Sequence, residues 1–74
     1  MRVTDVKRGS LGQAIRRRRE ELGLNREHVA AKADVSMSTV VRVENGGDAL
    51  YTSLTAIAAA LETTISELLS GAAA

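Results

Sequence analysis

Cysteine, proline, tryptophan and phenylalanine are all absent from this 74-residue chain, and Tyr51 is its only aromatic residue. The lack of cysteine excludes disulfide staples and thiolate metal sites and fits a reducing compartment. With so little aromatic material the core must be built from Leu, Ile, Val and Ala, which suits closely packed short helices better than aromatic-rich strands. The same shortage removes the stacking platforms on which single-stranded DNA or RNA is usually read. No apolar run approaches the roughly 20 residues of a membrane span, and no signal-peptide segment follows Met1. A cytoplasmic protein with no membrane partner is therefore expected. His28, the one histidine, lacks the further ligands that zinc requires, so neither a metal nor another cofactor is expected. No nucleophile–base pair, paired carboxylates or phosphate loop stands out, which argues against an enzyme.

The length allows one domain. A chain this short buries only roughly 60% of the surface that its unfolded form exposes, so every buried contact matters to stability. The net charge of +1 says nothing about a nucleic-acid partner, but its distribution does. Residues 1–19 carry seven basic side chains against Asp5 alone, residues 20–50 carry three against six acidic ones, and residues 51–74 carry only Glu62 and Glu67. Such asymmetry marks an anion-facing end, or else simply solvates one exposed helix.

Residues 1–9 hold no sustained period and end in Gly9, which reads as a flexible basic arm. Ser10, with Gln13 three residues on, forms a capping box for a first helix carrying Leu11, Ile15, Arg19 and Leu22 on one stripe, and Gly23 ends it. Asn25 caps a second helix that buries Val29, Ala30 and Ala33. Asp34 interrupts it, and Ser36 caps a third helix that buries Val40 and Val43 and stops at Asn45-Gly46-Gly47. Asp48 is placed to cap a fourth, in which Leu50, Leu54, Ile57, Ala58 and Leu61 recur at helical steps. Thr64 or Ser66 opens a fifth through Leu68 and Leu69, and residues 71–74 read as a frayed tail. The fold class is thus all-α, five short helices over residues 10–70 around one aliphatic core. Tyr51 reads as a partly buried seal over that core or as a dimer contact. Leu50, Ile65 and Leu69 read as surplus to one core and available to a second copy.

The most informative stretch runs from Arg26 to Val43. Ala30 is small enough for two helix backbones to approach, and Asp34 tolerates the left-handed conformation a tight turn needs, though less well than glycine. Val40 and Val43, three apart, lock the third helix inward and leave Met37, Ser38, Val41, Arg42 and Asn45 facing out. A helix of about 36–45 projected this way fits the DNA major groove. Ordinary helical hairpins share these spacings, so from the residues alone both readings stand.

The run Gly23-Leu24-Asn25-Arg26-Glu27-His28-Val29-Ala30 resembles the signature of the phage Cro and repressor family, also called the xenobiotic-response-element family of helix-turn-helix regulators. Ser36-Met37-Ser38-Thr39-Val40, then Arg42-Val43-Glu44-Asn45-Gly46, then Leu61 through Leu69 continue the resemblance over about residues 10–70. It implies a lambda-repressor-like domain, a third helix in the major groove, a homodimer on a two-fold operator, and the nucleoid of a prokaryotic cytoplasm. A repressor-like regulator of transcription is the expected function. The other reading is a protein-interaction module or antitoxin that keeps the helix-turn-helix shape but has another protein as its main partner.

Carried over residue by residue, the resemblance sets Met37 and Ser38 opposite base edges. Met37 and Val41 would pack on thymine methyls, and Ser38 would hydrogen-bond with weak specificity. Arg42 is the candidate for guanine, its alternative being an ion pair with a carboxylate of its own chain. Arg16, Arg17, Arg26, Ser36 and Asn45 are the phosphate candidates. Arg19 matches an arginine that in the family pairs with the glutamate corresponding to Glu44, which implies a structural ion pair. The chain departs from the family pattern in three places. Arg26 stands where glutamine is usual and Asp34 where glycine is usual. The loop before the fourth helix is one residue short and lacks its customary Pro-Ser start.

Overall fold

The computed structural model describes residues 3–71, with side chains from Ser10 to Ser70. Five helices follow one another: α1 (Val3–Glu21), α2 (Arg26–Ala33), α3 (Met37–Glu44), α4 (Tyr51–Ala60) and α5 (Ile65–Gly71), with no strand among the described residues. α1 packs on α3 and α5, α2 packs on α3 and α4, and α4 on α5. The core at their centre is aliphatic, with Ile15, Val29, Val40, Ile57 and Leu61 its largest fully buried side chains.

Two helix starts differ from expectation. α1 begins at Val3, so Ser10 lies inside it and does not cap it, and the segment assigned to an arm is helical backbone from residue 3 onward. Gly9 lies within α1 and does not end it. A glycine within a helix costs about 1 kcal/mol against alanine, which is too little to stop a segment containing no proline. Met1 and Arg2, and residues 72–74 of the expected tail, lie outside the described residues. α4 starts at Tyr51 with Leu50 in the capping position and no side-chain cap, so Asp48 does not open it. Arg42 holds the Asp48 carbonyl back on α3, and the chain needs Ala49 and Leu50 to reach the next helix.

The helix ends share one device. Gly23, Asp34, Gly46 and Glu62 all have positive φ, at 70, 57, 85 and 61°. Behind each, the next N–H reaches back to a carbonyl five residues earlier: Leu24 to Arg19, Val35 to Ala30, Gly47 to Arg42 and Thr63 to Ala58, at 2.8–3.0 Å. A left-handed residue is what allows this bond, which satisfies carbonyls a helix end leaves open. At Asp34 and Glu62 the side chain makes that conformation costlier than glycine would, by about 1–2 kcal/mol. The Asp34 turn, three residues before Met37, sets where α3 points.

Gly12 marks a close crossing of α1 and α3. A Cβ built there would lie 2.4 Å from the Val43 carbonyl oxygen and 2.8 Å from that of Glu44. α1 therefore meets the last turn of α3 backbone to backbone, and only hydrogen at position 12 permits it.

Candidate nucleic-acid interface

α3 buries one face and offers the other. Val40 and Val43 are buried, Val40 completely, so the helix cannot rotate without losing its seat on the core. Its opposite side carries Met37, 48% exposed, together with exposed Ser38 and Arg42 and half-buried Thr39 and Val41. Ser36 caps the helix, its Oγ accepting from Thr39 N at 3.1 Å, and Asn45 closes it in an exposed position.

The polar groups on this side are joined to one another. Ser36 Oγ lies 3.0 Å from Ser38 Oγ and 2.8 Å from Thr39 Oγ1, and Arg42 Nη2 donates to Thr39 Oγ1 at 3.5 Å. Arg42 Nε donates to the Asp48 carbonyl at 2.8 Å. Its stem lies over the Gly46–Gly47 turn so closely that a Cβ at Gly47 would come within 2.5 Å of Arg42 Cγ. Arg42 thus remains exposed and is hydrogen-bonded to its own backbone. Thr39, which the sequence reading did not single out, sits at the middle of the network.

Behind α3 lies a buried charge cluster. Arg19 and Glu44 come together with Nε on Oε2 at 2.7 Å and Nη2 on Oε1 at 3.2 Å, and Arg19 Nη1 also donates to the Leu24 carbonyl at 3.1 Å. The Glu44 hydrogen bond raises the Arg19 pKa above its ordinary value, although burial opposes this, so the guanidinium stays charged wherever the protein is folded. Arg26 is the third member, its Nε donating to Glu44 Oε1 at 3.1 Å. Every buried side-chain nitrogen and oxygen among the described residues has a partner.

The arginine run on α1 divides as a helix must divide four consecutive residues. Arg16 and Arg17 are exposed, Arg16 facing Glu20 at 3.5 Å. Arg18 is turned to the fold, donating from Nε to the Leu61 carbonyl at 3.0 Å and so closing the end of α4. Arg19 is buried. His28 takes a local role that its position three residues after Asn25 would have signalled. Asn25 Oδ1 accepts from His28 N at 2.8 Å, while Asn25 N donates to His28 Nδ1 at 3.3 Å, a reciprocal cap on α2.

Large apolar side chains are also exposed outside α3. Leu50 is 74% exposed, Tyr51 70% and Leu69 44%, so Tyr51 is no seal over the core. A groove of about 380 Å³ between α4 and α5 is lined by Tyr51, Thr55, Ala59 and Ile65 among others. Among the described residues no group of three or more His, Asp or Glu could hold a metal ion, and no helix is long and apolar enough to cross a membrane.

A helix-turn-helix family model matches residues 15–68, from Ile15 in α1 to Leu68 in α5, with α2 and α3 as its two central helices. No curated protein matches the chain.

Proposed function

We propose, from the premise that the chain belongs to the helix-turn-helix family of the Cro and phage-repressor type, that it is a sequence-specific double-stranded DNA-binding regulator, acting as a repressor. The helix-turn-helix is a DNA-binding fold, and the observation that carries the finer reading is the outward side of α3. Two buried valines fix it while Met37, Ser38 and Arg42 stand in solvent. An α-helix about 10–12 Å across enters a major groove about 12 Å wide. There Met37 and Val41 pack on thymine methyls and Ser38 bonds a base edge. Arg42 exchanges its Asp48 carbonyl for guanine. That internal bond is exposed, so the Asp48 carbonyl passes to water when Arg42 leaves it, and a bidentate guanine pair then supplies about 1–3 kcal/mol of discrimination. Arg16, Arg17, Arg26, Ser36 and Asn45 supply phosphate contacts.

A homodimer is part of the proposal. Leu50, Tyr51 and Leu69 are exposed apolar side chains outside α3, and Tyr51 also lines the groove between α4 and α5, which supports a two-fold contact through this part of the chain. Reading a two-fold site requires the pair to hold its two α3 helices about 34 Å apart, one turn of DNA. The same side chains favour a second reading, in which an antitoxin-like chain covers them with a different protein. Co-purification of a stoichiometric second chain would show that.

Titration of a mixed-sequence duplex at two salt concentrations tests the reading. Two chains per site are expected, with affinity falling as salt rises by about 0.9 in the logarithmic slope for each phosphate contact. No binding tighter than about 0.1 mM in low salt would be weaker than ordinary non-specific association and would end the DNA reading.

A further inference from the structure

We infer that Glu44 presents Arg26 as a preformed two-pronged clamp for one phosphate of the DNA backbone, a role set by guanidinium shape and not by charge alone. The inference rests on the DNA-binding reading above and adds how one of its phosphate contacts is made.

Glu44 has a side chain only 2% exposed, yet it holds two arginines. Arg19 uses all three of its nitrogens, two on the carboxylate and one on the Leu24 carbonyl. Arg26 uses Nε alone, its side chain is 38% exposed, and its guanidinium has no other hydrogen bond or ion pair among the described residues. A guanidinium is planar and its N–H directions are fixed relative to one another. Once Nε is on Glu44, the edge formed by Nη1 and Nη2 remains for two parallel bonds to a pair of phosphate oxygens. The side chain is also ordered before any ligand arrives, so binding has less rotamer freedom to remove.

The electrostatics agree. One carboxylate against two guanidinium groups leaves the cluster positive, and Arg26 is the member that meets solvent. As the first residue of α2, it stands where backbone N–H groups add a further positive field. Lysine in its place has three donors on one compact ammonium and no second planar edge, so while held on Glu44 it cannot make the two parallel bonds to phosphate. Arginine does both, which is what separates this position from an ordinary surface cation.

Full-length Arg26→Lys and Arg26→Gln proteins, titrated against the mixed-sequence duplex over a salt series with thermal unfolding alongside, test the clamp. Both should bind about tenfold more weakly at fixed salt, the loss of one charge-assisted contact. Both should also flatten the logarithmic salt slope by about one. Their melting points should stay near the original, because the Arg19–Glu44 pair persists. Arg26→Lys matching the original in affinity and slope would mean that a point charge suffices, which overturns the clamp and leaves the DNA reading intact. A lower melting point with an unchanged slope would make Arg26 purely structural and would overturn it as well. If the unmodified protein binds no duplex, the DNA reading fails and the clamp with it.

Discussion

Glu44→Ala is expected to lower folding stability by about 3–5 kcal/mol, the usual effect of removing one member of a buried ion pair. The effect is large because of what remains. Arg19 is buried, and without the carboxylate two of its nitrogens lose their acceptors while the charge stays inside, the Leu24 carbonyl its one remaining partner. Arg26 can turn to water and loses little. A domain of this length has a total stability of roughly 4–11 kcal/mol, so the variant should populate its unfolded state measurably at ordinary temperature. The three positions should rank Glu44→Ala most damaging, Arg19→Ala next and Arg26→Ala least. Denaturant unfolding of the three, compared at a common slope, checks the ranking. A loss below about 1 kcal/mol for Glu44→Ala would mean that the cluster is solvated and contributes as a surface pair does.

Gly12→Ala should destabilise the fold by about 2 kcal/mol, although helix propensity alone would have alanine stabilise α1 by about 1 kcal/mol. The sign is decided by what the methyl group meets. Both near atoms are backbone carbonyl oxygens, of Val43 and Glu44, and no side-chain rotation can move them away. α1 must withdraw from α3, and the adjoining Leu11 and Ile15 lose packing in the same displacement. The melting temperature should fall by about 10 °C, since about 1 kcal/mol corresponds to roughly 4–8 °C in a domain of this size. A rise in melting temperature would show that the crossing is looser than the contact distances indicate. Because Glu44 is part of that contact, the variant should also loosen Arg26 and weaken duplex binding in proportion.

These two sites differ in how far the sequence could announce them. The periodic features were legible: Val40 and Val43 inward, Ser36 at the start of α3, Asn25 capping α2 and Gly23 closing α1 all follow from local spacing. Arg19 and Glu44, separated by 25 positions, were joined through a family resemblance and not through any pattern in the chain itself. Gly12 left no trace, because the carbonyls that exclude a side chain there lie some thirty positions away and backbone proximity has no residue signature. Arg18 on the Leu61 carbonyl, 43 positions apart, was hidden for the same reason. Arg26 was read as a simple phosphate cation. Its departure from the usual glutamine was visible, but that a buried carboxylate stood within reach depended on how α2 meets the end of α3. The start of α1 is not legible at Gly9, because glycine weakens a helix without ending it.

Binding-site selection from random duplexes, carried out with the original protein and with Arg42→Ala and Met37→Ala, tests most directly whether the outward side of α3 reads bases. The original protein should enrich a two-fold symmetric site with half-sites about one turn apart. Each variant should recover the same site with preference relaxed at one base pair per half, a different pair for each substitution. Enrichment of no sequence at all, or an identical preference from all three proteins, would contradict the assignment of α3 as the element that recognises DNA.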